Sequence, residues 1–150
     1  MSGFLLDTCV VSELGRDSPD AGVTSWVAEM DLDVLYLSAV TIGEVQRGIA
    51  LLADGTKRRR LERWLAADLL SGFRNRILSF DGDVALRWGE LRTSAEKAGG
   101  TLPILDAIIA ATALSYGLAV VTRNEGDFVR SGARVFNPWS ARHSRETASG

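Results

Sequence analysis

The residues equipped for chemistry in this chain are Asp7, Glu44, Asp106, Asn124 and Asp127. Each has an ordinary explanation when taken alone. Asp7 closes the apolar run Phe4-Leu5-Leu6 and leads straight into Thr8-Cys9-Val10-Val11-Ser12-Glu13. Glu44 follows Thr41 at the spacing of a capping box, in which a hydroxyl and a carboxylate satisfy each other's backbone N–H groups. Asp106 falls in the first turn of a helix opened by Pro103, where a carboxylate complements the helix dipole by about 0.3–1 kcal/mol. Asn124 and Asp127 lie just past Leu118-Ala119-Val120-Val121-Thr122. What these residues share is a place. The carboxyl ends of strands, and the first turns of helices that follow them, fall on one edge of a parallel sheet, where α/β proteins bind their ligands.

Magnitude decides what such a cluster must hold. Two carboxylates about 4 Å apart repel by roughly 4 kcal/mol at an effective dielectric of 20. Three cannot all stay ionised without a proton or a cation between them. Oxygen ligands without histidine or cysteine favour Mg²⁺ or Mn²⁺ over zinc. An ion of that kind beside a phosphodiester polarises it and activates a bound water. Arg47, Arg123 and the run Lys57-Arg58-Arg59-Arg60 with Arg63 could hold a polyanion over the negative pocket, although such a run is more often a solvated helix face.

The elements that would position these groups can be read in order. Phe4-Leu5-Leu6 is a short strand apolar on both faces, as in buried parallel sheets. Gly15 to Pro19 forms a turn, and Asp20 caps a helix whose stripe is Val23, Trp26, Val27 and Met30. Val34 to Ser38 is a second strand. The helix opened at Thr41 carries Ile42, Val45, Ile49 and Leu52 on one face, with Glu44 pointing about 100° away. A basic helix follows with the inner stripe Leu61, Trp64, Leu65 and Leu69. Ile77 to Phe80 is a third strand, and a long helix then carries Val84, Trp88, Leu91, Ala95 and Ala98 up to Gly99-Gly100. Ile104 through Leu114 is apolar nearly all round and is expected to be central and buried, so Asp106 within it needs a partner. Leu118 to Thr122 is a buried strand, Arg123 to Phe128 a loop, and Val135-Phe136 a last strand. Strands separated by helices imply right-handed crossovers and a parallel sheet covered on both faces.

Composition bounds the rest. At 150 residues, 46% of them hydrophobic, the chain has enough material for one substantial core. A net charge of −2 excludes a uniformly basic nucleic-acid coat but not a local basic patch. The single cysteine excludes an intramolecular disulfide and a cysteine-rich zinc site; Cys9 is expected to be a small buried thiol. No basic n-region precedes the apolar start, and no apolar run approaches the roughly 20 residues of a membrane span. A cytoplasmic protein is the expectation. His143 lies in a polar tail and is assigned no chemistry, and Trp26, Trp64 and Trp88 are expected to be core or dimer contacts.

Leu5-Leu6-Asp7-Thr8, Leu37-Ser38-Ala39-Val40-Thr41-Ile42-Gly43-Glu44, Asp106-Ala107-Ile108-Ile109-Ala110-Ala111-Thr112-Ala113 and Val121-Thr122-Arg123-Asn124 resemble the PIN-domain signature. The closing Asn137-Pro138-Trp139 is similar to the FitB-like branch of VapC-type toxins. The resemblance runs over about residues 3–139. It implies one PIN domain over residues 1–139, a three-layer α/β/α fold with a mostly parallel sheet of about five strands, and a polar tail from Ser140 to Gly150. It also implies an Mg²⁺-dependent endoribonuclease, with Mn²⁺ able to substitute, that cuts tRNA or other RNA and leaves 5′-phosphate and 3′-hydroxyl ends. A VapB-like antitoxin would block its groove with a C-terminal segment, and the chain would pair as a homodimer and assemble into a heterotetramer or larger with that antitoxin. By that resemblance Asp7, Glu44 and Asp106 ligate metal and Thr8 and Thr122 support them. Asn124 stands where the family places its fourth acid; it accepts a water or coordinates through its carbonyl but carries no charge, and Asp127 is the nearest carboxylate that could replace it.

Two rivals follow from the same residues. A haloacid-dehalogenase-like or receiver-like phosphotransfer site also begins with an acid after the first strand. The former requires a second aspartate where Cys9 stands, and the only lysines are Lys57 and Lys97. A catalytically degenerate PIN scaffold that only binds RNA or protein is favoured by Asn124 and opposed by the three principal acids.

Overall fold

Strand β1 (Phe4–Leu6) lies at the centre of a single sheet in the computed structural model, which describes residues 2–139. The other strands are β2 (Leu35–Ser38), β3 (Ile77–Leu78), β4 (Ala119–Val121) and β5 (Val135–Phe136). Their order is β3-β2-β1-β4-β5, and every adjacent pair is parallel. Leu5 is paired with Tyr36 on one side and with Val120 on the other. The chain builds outward from β1 to β3, then returns to lay β4 on the opposite side. The crevice between β1 and β4 is therefore the topological switch point, where open α/β sheets receive ligands.

The helices are α1 (Thr8–Leu14), α2 (Ala21–Glu29), α3 (Ala39–Ala50), α4 (Thr56–Arg63), α5 (Gly82–Lys97), α6 (Ile104–Tyr116) and α7 (Glu125–Arg130). Alternation along the strands sorts them into two layers. Leu6, Leu35, Leu37 and Val121 face one core with Val10 and Val11 of α1, Val23 and Trp26 of α2, and Val45 and Ile49 of α3. Leu5 and Val120 face the other, with Ile109, Ala110 and Ala113 of α6 and Phe128 of α7. The fold is a three-layer α/β/α sandwich with a fully parallel five-stranded sheet. Beyond α4 the helix widens into a π-helical segment, Trp64–Leu70, whose Leu65 and Leu69 are buried. The i→i+5 turn suits a stripe spaced every four residues, which would drift around a regular helix.

Three sequence expectations are corrected. Thr41 does not open α3. Strand β2 runs directly into the helix at Ala39, and Ser38, the strand's last residue, caps it by accepting from Val40 N at 3.1 Å. The capping-box spacing is therefore coincidental; Thr41 lies inside the helix, fully buried, and Glu44 is released to the second turn. Arg123 to Phe128 is not a loop throughout, because α7 begins at Glu125, with Glu125 and Asp127 in a first turn that favours acids. Helix α6 is buried through Ala113 only from Ala107 onward, apart from half-buried Ile108; Ile104 is 54% and Leu105 39% exposed. Its 13 residues span about 20 Å, whereas a three-residue strand covers about 10 Å, so the helix overhangs the sheet.

Among the tryptophans, Trp26 is core, edge-on to Phe4 at 5.1 Å, while Trp64 and Trp88 are half-buried. The expected polar tail and His143 lie outside the described residues. Among the described residues no helix is long and apolar enough to cross a membrane.

Phe128 anchors α7, and with it Asp127, to the second core at 0% exposure, while its neighbour Val129 is 60% exposed. Phe128→Ala should cost about 3–5 kcal/mol in urea denaturation. Val129→Ala should stay within about 0.5 kcal/mol of the parent. Equal effects would mean that α7 is not held by this side chain.

Candidate functional site

Asp7 is the fixed point. Its backbone N–H donates to the Val121 carbonyl at 2.9 Å, so the β1–β4 ladder continues through it. Its side chain caps α1: Oδ1 accepts from Thr8 N at 2.8 Å. Oδ2 accepts from the Thr122 hydroxyl at 2.8 Å, in a bond that is wholly buried. Thr122 is itself tied down, since its N–H donates to the Phe136 carbonyl at 3.0 Å and its oxygen accepts from Asn124 N at 3.0 Å. Asp7 is only 5% exposed. Oδ2 accepts a second, weaker bond from the Cys9 thiol, so Oδ1 is the oxygen that keeps an acceptor position for a ligand.

The Cys9 thiol lies 3.5 Å from Asp7 Oδ2 and 3.6 Å from the Thr122 hydroxyl. Burial first, then the Asp7 charge, pushes it above the usual thiol range. The group is a neutral thiol at pH 7, not a nucleophile. It is half-buried rather than buried, and belongs to the wall of the site.

Asp106, on the first turn of α6, meets two other acids. Burial, the charges of Asp7 and Asp127, and a hydrogen bond to Asp127 push it up to about 6 from an ordinary 3.8. The partner expected for Asp106 is thus another carboxyl, which adds to the burial that disfavours its charge. Asp127 also pairs with Arg130, one turn along α7. The fold brings Asp7, Asp106 and Asp127 together.

Glu44 faces elsewhere in part. It is half-buried and lines a groove of about 480 Å³ with Ser12, Arg16, Asp17, Lys57, Arg60 and Trp64 among others. Asn124 sits at the head of α7, exposed, and its side chain makes no capping bond. Thr8 donates its hydroxyl to Thr41 at 3.2 Å, joining the helix that follows Asp7 to the one that carries Glu44. Sequence reasoning missed Thr41 because it read that hydroxyl as a cap. The basic run is mostly neutralised: Arg58 pairs with Glu62 at 2.8 Å, Arg59 with Asp54 at 3.7 Å and Arg60 with Asp17 at 3.0 Å.

Among the described residues no three acids, cysteines or histidines converge tightly enough to enclose an ion alone. Mg²⁺ keeps several waters and is commonly held through one or two carboxylates beside a phosphate. Asp7 and Asp106, with Asp127, present such an oxygen set, in which burial first and then the neighbouring charges raise Asp106. The residues fit the group.

A PIN domain model matches residues 4–132, and the chain belongs to that family. It is 41% identical to the toxin FitB of Neisseria gonorrhoeae over 91% of this chain and 98% of that protein. It is 35% identical to the VapC ribonuclease Y4jK of Sinorhizobium fredii over 91% of this chain and 97% of the other. Among solved structures, FitAB bound to a DNA fragment superposes with a TM-score of 0.86 at 39% identity, covering 91% of this chain and 95% of that one. The relatives are thus ribonucleases and toxins of the VapC and FitB kind.

A carboxyl raised in the folded state binds its proton more tightly there than in the unfolded chain. The metal-free protein should therefore lose stability as pH rises from about 4 to about 6, and Asp106→Asn should remove that loss. In EDTA, Asp106→Asn should melt above the parent at pH 7.5 and level with it at pH 3.5. Equal melting temperatures at both pH values would mean that Asp106 is not crowded by Asp7 and Asp127.

Proposed function

We propose that this chain is an Mg²⁺-dependent endoribonuclease toxin, with Mn²⁺ able to substitute, restrained by an antitoxin. The observation that carries the reading is the meeting of Asp7, Asp106 and Asp127 at the switch point of the sheet, with Asp106 pushed up to about 6. Asp7 and Asp106 would hold the ion, Asp127 would take the place that Asn124 leaves uncharged, and Glu44 would act from the neighbouring groove. When bound, the ion supplies Lewis-acid polarisation of the scissile phosphate and a water of lowered pKa.

The chain's own residues do the rest. Thr8 N–H and the Thr122 hydroxyl hold both oxygens of Asp7 at fixed angles, so the carboxylate needs little reorganisation as it engages its ligand. Asp106, raised by burial and by the charges of Asp7 and Asp127, takes up a proton more readily than an ordinary carboxyl, which would make loading weaker at low pH. Leu5, Val120 and Phe128 keep the floor dry.

The groove suits the antitoxin. Val45, Ile49, Leu52, Leu61 and Trp64 give it an apolar floor, Arg16, Lys57 and Arg60 give it a basic rim, and Glu44 lies within it. A chain segment bearing apolar anchors and acidic neighbours would fill it and cover Glu44. FitAB, a solved relative, is a precedent for a complex on DNA. A homodimer would use exposed apolar side chains such as Ile104 and Leu105.

The test is cleavage of total tRNA by the purified chain in Mg²⁺ or Mn²⁺, beside EDTA and Asp7→Asn, with Mn²⁺ affinity measured for Thr122→Val. Cleavage should vanish in both controls, and Thr122→Val should weaken Mn²⁺ binding about 10–100-fold while the protein stays folded. A folded chain that cuts no RNA with any metal would instead be a binding scaffold, the reading that Asn124 favours.

A further inference from the structure

Three arginines lie over aromatic rings, Arg76 over Phe73, Arg92 over Trp88 and Arg123 over Trp139, and of these Arg123 is the one at the carboxyl edge of β4. Among the described residues, Arg16, Arg58, Arg59, Arg60, Arg76 and Arg130 each meet a carboxylate. Arg123 meets a ring instead. Its guanidinium carbon lies 5.3 Å from the centroid of Trp139. A guanidinium laid over an aromatic face is attracted to it while its N–H edges stay free to donate, and those edges match a phosphate bidentately.

Its place in the chain adds the second half of the argument. Arg123 stands between Thr122, whose hydroxyl is bonded to Asp7, and Asn124, whose N–H is bonded to Thr122. Its side chain is exposed just past the carboxyl end of β4, next in sequence to the threonine that bonds Asp7. The ring is held in turn. Trp139 N donates to Asn137 Oδ1 at 2.9 Å, and Asn137 Nδ2 donates to Glu125 Oε2 at 3.4 Å, on the first residue of α7. Trp139 also packs on the edge of the first core. Asn137-Pro138-Trp139, a motif for which the acids leave no task, thereby positions one arginine.

We propose that Arg123, held by Trp139, receives a phosphate of the RNA strand next to the one that is cut, and that Asn137–Trp139 is its positioning element. The proposal rests on the ribonuclease reading above. A negative rim repels a polyanion, so a cation must stand near it. Arg58, Arg59 and Arg60 of the basic run are paired with Glu62, Asp54 and Asp17, and Arg63, like Lys57, is on α4 rather than on the β4 edge. Arg47 is exposed on α3, with no ring or carboxylate recorded against it among the described residues, and must be ordered at the moment of binding. Arg123 is ordered beforehand.

The test is binding of a labelled single-stranded RNA, followed by fluorescence anisotropy across a KCl series. An Asp106→Asn parent in Mg²⁺ keeps the strand uncut. Arg123→Ala should lower the slope of log affinity against log salt by about 0.7, the share of one phosphate on a single strand. Arg123→Lys should restore the slope but not the full affinity, since an ammonium is a point charge. Trp139→Leu should weaken binding and Trp139→Phe should retain it. The Arg123→Ala/Trp139→Leu double variant should bind no more weakly than Arg123→Ala alone, a non-additivity that general destabilisation would not produce. Thermal melts alongside identify any variant that fails to fold, and the Arg123 and Trp139→Phe variants carry the test if Trp139→Leu does. An unchanged slope and affinity in Arg123→Ala, or losses at the two positions that simply add, would overturn the proposal. A parent that binds no RNA would overturn the ribonuclease reading itself.

Discussion

A carboxylate that is 95% removed from solvent, as Asp7 is, survives in a fold only if its charge is met from several directions. Here the backbone and one hydroxyl do most of that work. Thr8 N–H and the Thr122 hydroxyl come from opposite sides of the same crevice, one from the helix that Asp7 starts and one from the strand paired with β1. Both donors are neutral, so they orient the charge without cancelling it. The site is left negative and becomes more so as Asp106 and Asp127 arrive. Everything else in the molecule can be read as the means of holding that unfavourable arrangement in place.

The means are apolar. Leu5 and Leu6, adjacent in sequence, point into different cores, so the strand that ends in Asp7 is fastened from both faces. Helix α6 gives the second core Ala110 and Ala113 beside Ile109, and its Ala107 and Ala111 are fully buried too. Small side chains let the helix approach the sheet closely, and they bring Asp106 near enough for Asp7 to be felt. Phe128 does the equivalent for α7 and Asp127. Burial of this kind, at about 25 cal/mol per Å² of apolar surface, is ample to offset a few kcal/mol of carboxylate repulsion. A stable core thus keeps an electrostatically strained rim, as functional sites commonly require.

How much of this the sequence made legible depends on the range of the interaction concerned. Patterns local to one element were readable: the strand at Phe4-Leu5-Leu6, Asp20 as the cap of α2, and the continuous apolar run that became β4. The single carboxyl edge of the parallel sheet was readable too, although Glu44, expected there, lines the neighbouring groove. Where local signals competed, the reading failed. Thr41 and Glu44 had a capping-box spacing, yet Ser38, already fixed by the β2 pairing, took the cap. The exposure of Ile104 and Leu105 depends on how far a helix outruns a three-residue strand, which no periodicity encodes. The Asp106–Asp127 contact joins α6 to α7 across the rim, and only the assembled fold reveals it.

That contact also bears on the missing fourth acid. Asn124 is at the N-cap of α7 and Asp127 is three residues on, so both belong to the first turn of one helix and face nearly the same way. A carboxylate moved from the first position to the second shifts by less than one turn, about 5 Å along the axis. It therefore approaches α6 rather than β1, which is why Asp127 meets Asp106 while Thr122, not a second acid, meets Asp7. Arg130, a further turn along, balances the relocated charge from behind. One carboxylate at the rim is isolated and oriented by neutral donors, while Asp106 and Asp127 crowd each other from facing helices, so the repulsion at Asp106 is the part of the rim that no donor of the fold relieves.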